Sequence, residues 1–295
     1  MYERHFNLTM KPFSMNPDPA FLYPSSQHAA ALTMLEYAVE SQAPFCLLTG
    51  EIGSGKTTVL RHFLRGLGKN VTVGLISNTH GGFRSIHSWV LSALSIAPCD
   101  DSDIAVYEAL TDFFVREYAQ GRRTLLVLDE AHNLSLNVLE ELRLLSNVNS
   151  ERDLVLQTLL VGQPALRRKL QSPELEQFAQ RVSMDFHLQA LSLEDALAYI
   201  QHRLRVAGGD ASLFRAEAVA FIHAQTHGVP RLINRLCDIA LVYAYAAQQS
   251  CIDLDLMQHV MQDRRQHGSM PLFGPAAAGV SLISKLDAGA VAERS

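Results

Sequence analysis

Phe45-Cys-Leu-Leu-Thr-Gly-Glu-Ile-Gly-Ser-Gly-Lys-Thr-Thr58 is the stretch whose reading decides the fold. An apolar run of strand character ends at Gly50, and a helical segment is expected from Thr58 to Leu67. Between them Gly50, Gly55, Lys56 and Thr57 satisfy the pattern of a phosphate-binding loop. Gly50, Gly53 and Gly55 let the backbone take positive φ and approach a polyphosphate closely. Successive N–H groups and the N-terminus of the following helix can then face anionic oxygens. The cradle is therefore read as Gly50, Glu51, Ile52, Gly53, Ser54, Gly55, Lys56, Thr57 and Thr58. Lys56 would reach the β and γ phosphates of ATP, and the Thr57 hydroxyl would ligate Mg2+.

Downstream, Thr124-Leu-Leu-Val-Leu-Asp-Glu130 is apolar on both faces and ends in two carboxylates. Strands of that kind belong to parallel sheets covered by helices on both sides, with ligands bound beyond the carboxyl ends of the strands. Asp129 of this Walker B pattern would then hold Mg2+, directly or through water, and Glu130 would polarise the attacking water. Adjacent acids after a strand also suit a helix N-cap, since Asn133 and Ser135 mark a helix start. Asp129-Glu-Ala-His132 spells a helicase signature as well. That class needs a second motor domain and an arginine-rich motif, and residues 191–295 supply neither.

A further strand over Leu154–Val161 terminates in Gly162-Gln163-Pro164, where Gln163 could sense the γ phosphate or only start the turn. Phe178-Ala-Gln-Arg181 precedes a strand from Val182 to Leu188, and Arg181 reads as an arginine finger or as a surface arginine. Arg167, Arg168 and Lys169 read as a solvated helix face. Before the loop, residues 1–26 carry prolines that exclude a long helix and aromatics that call for an ordered segment laid on the core. Phe21 to Tyr23 either flank the adenine or simply cover apolar surface. A helix from Gln27 to Ser41 capped by Ser25 or Ser26, a strand from Val71 to Ser77 and a mixed helical region from Phe83 to Ala119 complete the core. Trp89, in that region, is expected to be buried.

From Leu191 the pattern becomes helical. Ser192-Leu-Glu-Asp195 is a capping-box signature, Gly208-Gly209 breaks a helix, and Gly228-Val-Pro-Arg231 stops one helix and starts another. Arg231 would then project from a helical lid toward phosphates. His223 and His227 stand four apart, but they lack the glutamate of a zinc-protease motif. The expected division is a nucleotide-binding core with an N-terminal extended segment over 1–190, a helical lid over 191–265 and a flexible tail over 266–295.

The chain of 295 residues is 48% hydrophobic and 19% charged, as in globular proteins, and is long enough for a large domain and a small one. A formal net charge of −5 supplies no global attraction to nucleic acid or to an anionic membrane. Cys46, Cys99, Cys237 and Cys251 form no C-x-x-C pair and read as buried apolar residues of a reducing compartment. No signal sequence opens the chain and no run of about 18 apolar residues occurs, so a cytoplasmic location is expected.

Several stretches together resemble one family. They are Tyr2 to Phe13 with Phe13-Ser-Met-Asn-Pro-Asp-Pro19, Phe21-Leu-Tyr23, the loop Leu48 to Thr58, Glu141-Leu-Arg-Leu-Leu145, Leu160-Val-Gly-Gln-Pro164 and Gly228-Val-Pro-Arg-Leu-Ile-Asn-Arg235. They are similar to AAA+ ATPases of the ExeA/general secretion pathway protein A type over about residues 1–265. The resemblance implies an α/β core with a five-stranded parallel sheet, a helical lid, and ATP hydrolysis at an interface of a homo-oligomer, a ring or an ATP-dependent assembly. It implies Gln163 at the sensor 1 position, Arg181 as the box VII arginine and Arg231 as sensor 2. Sensor 1 is more often Asn, Ser or Thr in the wider superfamily. Family members assemble secretion or pilus machinery, and the expectation is a short form without the transmembrane helix and peptidoglycan-binding domain of long members. Such forms stand beside pilus or exopolysaccharide systems, so a membrane-protein partner is implied. ATPases of the TniB/TnsC kind share the core, which makes a DNA-binding transposition regulator the alternative, and its mark would be steeply salt-dependent binding to DNA.

Overall fold

The computed structural model describes residues 1–15, 19–21, 23–77, 85–100, 102–148 and 154–267. Its strands are β1 (Phe45–Gly50), β2 (Val71–Ile76), β3 (Arg123–Leu128), β4 (Leu156–Gly162) and β5 (Val182–Leu188). They pair throughout in parallel, in the order β2-β3-β4-β1-β5. Composition explains the order. β1 and β4 are buried at every position and β3 at all but its first, whereas β2 and β5 keep half-buried and exposed positions and stand at the edges. Side chains alternate between two cores. Phe45, Leu47, Leu126, Leu128 and Leu160 enter one, and Cys46, Leu48, Leu125, Val127 and Val161 enter the other.

The helices are α1 (Tyr2–His5), α2 (Ser26–Glu40), α3 (Lys56–Gly66), α4 (Ile86–Leu94), α5 (Asp103–Ala119), α6 (Leu136–Leu145), α7 (Pro164–Leu170), α8 (Glu176–Ala179), α9 (Leu193–Val206), α10 (Ala216–Thr226), α11 (Pro230–Ala246) and α12 (Leu254–His267). Leu35 of α2 and Val59, Leu60 and Phe63 of α3 cover one face of the sheet, while α4, α5 and α6 cover the other through Trp89, Phe114 and Leu142. Trp89, 8% exposed, is a core residue. Hydroxyls set the helix starts. Ser25 accepts the His28 N–H for α2, Ser135 that of Val138 for α6, and Ser192 that of Asp195 for α9. Since Ser135 caps α6, the carboxylates of Asp129 and Glu130 are not that helix's cap.

Two compact units divide the chain, Leu22–Ala190 and a helical unit made of Met1–Phe21 with the segment that starts at Leu191. This corrects the assignment of the N-terminal segment to the core, and a buried arginine supplies the reason. Arg203 of α9 donates from Nε to the Pro12 carbonyl at 2.6 Å, from Nη1 to the Tyr199 hydroxyl at 2.8 Å and from Nη2 to the Ser14 carbonyl at 3.3 Å. Its guanidinium also lies 4.6 Å from the centre of the Phe21 ring. Tyr2 donates to Asp238 at 2.5 Å, and Thr9 N–H donates to the Ala207 carbonyl at 2.8 Å. Phe21 is therefore buried within the helical unit.

Cys99 is exposed and Cys251 half-buried, so only Cys46 and Cys237 match the reading of all four cysteines as buried. α12 runs to His267, past the expected tail boundary at 266, and the rest of that tail lies outside the described residues.

Replacing Arg203 with leucine leaves two backbone carbonyls and the Tyr199 hydroxyl short of a donor in a buried place. Loss of a charged hydrogen-bonding group there costs about 2–4 kcal/mol. The expected result is a lowered denaturation midpoint and early cleavage within residues 1–21 under limited proteolysis.

Candidate functional site

The parallel ladder brings three strand ends to one edge. Thr49 of β1 pairs with Gly162 of β4, and Leu128 of β3 pairs with Leu160 of β4. The loop after β1, the carboxylates after β3 and Gln163 after β4 therefore lie side by side, with β4 between the other two. This is the arrangement expected of the sequence, in which Gln163 falls between the two Walker elements.

The loop is shaped by places where a side chain cannot fit. A Cβ on Gly50 would lie 2.7 Å from the Leu188 carbonyl oxygen of β5 and 2.7 Å from Ser54 Oγ. Gly53 has φ 81° and Gly55 φ 103°, and a Cβ on Gly55 would lie 2.6 Å from the Nε2 atom of His28. Gly55 is the N-cap of α3, its carbonyl accepting the N–H groups of Thr58 at 2.9 Å and Val59 at 3.0 Å. Glu51 and Ile52 are exposed, Ser54 is buried, and Thr57 and Thr58 are half-buried in the first turn.

Lys56 is buried, and its Nζ donates to the carbonyls of Gly50 at 2.8 Å and Glu51 at 2.9 Å. Burial pulls the Lys56 pKa down, opposed by the charges of Glu130, Asp129 and Glu51. Burial likewise pushes the Asp129 carboxyl up, opposed by the Glu130 N–H that it accepts at 2.9 Å and by the Lys56 charge, while the charge of Glu130 adds to the rise. The loop lysine and both carboxylates thus lie close enough to act on one another.

These residues fit a Mg2+-bound polyphosphate. Ser54 Oγ is a buried polar atom with no hydrogen-bond partner among the described residues, and it sits inside a loop whose glycines leave no Cβ in the way. A hydroxyl at Thr57 and a carboxylate at Asp129 are the hard oxygen ligands that Mg2+ takes.

Glu130 occupies the left-handed region at φ 55°, unusual for a residue with a Cβ. It opens the 3-10 turn Ala131–Asn133, from which His132 places Nδ1 3.4 Å from Glu130 Oε2 and Nε2 2.8 Å from Gln163 Nε2. Lys169 holds the turn, donating to the carbonyls of His132 at 2.8 Å and Leu134 at 2.5 Å. Of the basic run read as solvated, Lys169 is therefore engaged inward, while Arg167 pairs with Asp185 at 2.9 Å. Neither His132 nor Lys169 was visible as part of a site. Only the placement of a histidine two residues after Glu130 hinted at the first, and nothing local hinted at the second.

Arg181, half-buried, donates from Nη1 to the Arg143 carbonyl at 3.2 Å and to Ser146 Oγ at 2.8 Å, at the end of α6. Arg231 belongs to the helical unit, exposed beside Pro230 in the first turn of α11. In the same unit the Nε2 atom of His223 lies 2.9 Å from the Leu191 carbonyl oxygen, and a Cβ on Gly228 would lie 2.0 Å from that oxygen.

A family model described as an AAA domain matches residues 39–170, which hold the loop, both carboxylates and Gln163. General secretion pathway protein A of Aeromonas hydrophila is 36% identical over 273 residues, 91% of this chain and 50% of that protein, so the chain spans about half the length of this curated relative. Among solved structures, the ORC2 protein of Aeropyrum pernix matches with a TM-score of 0.59 at 16% identity, over 88% of this chain and 72% of that one. Cdc6p of Pyrobaculum aerophilum matches with a TM-score of 0.59 at 16% identity, over 85% and 70%. At such identities the likeness to solved structures shows the fold alone, an α/β architecture built on a parallel sheet.

Gly55→Ala should place a Cβ against His28 and strain a backbone at φ 103°, which costs about 1–3 kcal/mol. Loss of Mg-ATP uptake, read by calorimetry, is expected together with a lowered melting temperature.

Proposed function

The chain is an ExeA-like AAA+ protein, and from that premise we propose that it binds ATP with Mg2+ and hydrolyses it at an interface between copies of itself. The observation that carries this reading is the glycine-shaped loop that holds Lys56 at the same edge of the parallel sheet as Asp129 and Glu130. The glycines of the loop present backbone N–H groups to the phosphates, and Lys56 exchanges its carbonyl partners for β and γ phosphate oxygens. Thr57 and Asp129 hold Mg2+, which supplies charge neutralisation and orientation of the phosphates. Glu130 accepts the proton of a water that attacks the γ phosphorus, and the bond from that phosphorus to the β-bridging oxygen breaks to release ADP.

Arg181 completes the site in this proposal, reaching it from a neighbouring copy. The two hydrogen bonds of Arg181 are partly exposed, each worth about 0.5–1.5 kcal/mol net, so assembly can exchange them for phosphate contacts. Such a cycle would drive or regulate assembly of a bacterial envelope system for secretion, pili or exopolysaccharide export, as the relationship to general secretion pathway protein A suggests. Among the described residues no helix is long and apolar enough to cross a membrane, and the proposed route to the envelope is a membrane-protein partner met from the cytoplasm.

Lys56→Ala is expected to abolish Mg-ATP uptake, and Glu130→Gln to keep uptake while lowering turnover by about 10²–10⁴-fold. EDTA should silence the wild-type chain. Equal rates for wild type and Glu130→Gln would remove Glu130 from the chemistry. Mixing Arg181→Ala with Lys56→Ala subunits should restore part of the turnover that each lacks alone, measured as phosphate release against the ratio of the two. Absence of recovery at every ratio would place Arg181 in a local role.

A further inference from the structure

We propose that His132 is a positioning residue that ties Gln163 at the end of β4 to Glu130 at the end of β3, so that the carboxylate is aimed at water only when Gln163 is engaged. The proposal rests on the ATP-hydrolysing reading above. Gln163 Nε2 and His132 Nε2 lie 2.8 Å apart. Two nitrogens can share a hydrogen bond only if one carries a lone pair, so the amide donates and the imidazole accepts. The ring proton then stays on Nδ1, which faces Glu130 Oε2 at 3.4 Å. One side chain thus accepts from an amide on β4 and holds Nδ1 3.4 Å from one oxygen of the carboxylate on β3, a contact that is not closed into a hydrogen bond in this state and that engagement of Gln163 would close. The Gln163 NH2 group has two hydrogens, and the one not given to His132 can meet a γ phosphate oxygen.

The surroundings keep this geometry narrow. The His132 side chain is 14% exposed against 46% for Glu130, so the relay is enclosed while its output end remains open to solvent. Lys169 fastens the turn through the carbonyls of His132 and Leu134. A Cβ on Gly162 would lie 3.2 Å from the His132 backbone nitrogen, so the bare glycine lets the end of β4 press against the turn that carries the histidine. Movement at Gln163 therefore has little slack before it reaches Glu130, whose left-handed backbone at φ 55° persists only where its neighbours enforce it.

The test is steady-state ATPase and Mg-ATP titration of the full chain as wild type, His132→Ala, Gln163→Leu and the double variant, with His132→Gln beside them. Each single variant should lose about 10–100-fold in kcat with KM within about threefold, because uniform binding is untouched while the reactive orientation is lost. The double variant should fall no further than the worse single, as expected for two side chains that act as one unit. His132→Gln, whose amide can accept from Gln163 and donate toward Glu130, should recover part of the loss. A His132→Ala kcat within about twofold of wild type overturns the relay, and so do losses that multiply in the double variant. Should His132→Ala not fold, Gln163→Leu and His132→Gln decide alone, since turnover of Gln163→Leu within about twofold of wild type also overturns it. A wild-type chain that takes up Mg-ATP and hydrolyses none removes the ATPase reading and the relay together, whereas wild-type hydrolysis matched by the variants removes the relay alone.

Discussion

Parallel pairing of β3, β4 and β1 is the constraint on which the rest depends. Parallel strands deliver all their carboxyl ends to one edge, and a strand buried on both faces cannot slip register without moving its whole apolar set. Because β4 lies between β1 and β3, whatever follows β4 is placed between the loop and the carboxylates. Burial of Leu156–Gly162 therefore does more than fill a core: it sets the spacing among three groups that come from distant parts of the chain.

Electrostatics at that edge are poised rather than satisfied. Lys56 is a buried cation whose hydrogen-bond partners are neutral carbonyls of its own loop, and burial favours its neutral form. Burial also penalises the charged form of Asp129. The two groups offset one another only in part, since burial remains the largest influence on each, so each gains from a further opposite charge. The match of an AAA domain to residues 39–170 and the electrostatics of this edge thus fall on the same residues.

Legibility in the sequence followed the range of the interactions. Glycine spacing at 50, 53 and 55 and apolar strands ending in Gly50 or Asp129 are local signals, and they placed β1, β3 and the loop. Cap residues Ser25 and Ser192 were equally local. Gln163 could be placed by its strand, but its partner His132 lies 31 residues away and no spacing rule joins them. Lys169 looked like one cation in a solvated run because the carbonyls it holds become available only when the turn at Ala131–Asn133 forms. The N-terminal segment was assigned to the wrong unit for the same reason: its aromatics and prolines announce order, whereas Arg203, which determines where that order is, stands 191 residues beyond Pro12.

That long-range attachment bears on how the protein is made. A ribosome emits about 5–20 residues per second, so Pro12 waits at least about ten seconds for Arg203, and Tyr2 waits longer for Asp238, 236 residues on. During that interval Phe13 lacks Phe214 and Phe21 lacks Arg203, the partners they meet in their own unit. The two parts of the helical unit are therefore made on either side of the whole sheet unit, and the earlier part docks only after the later one exists.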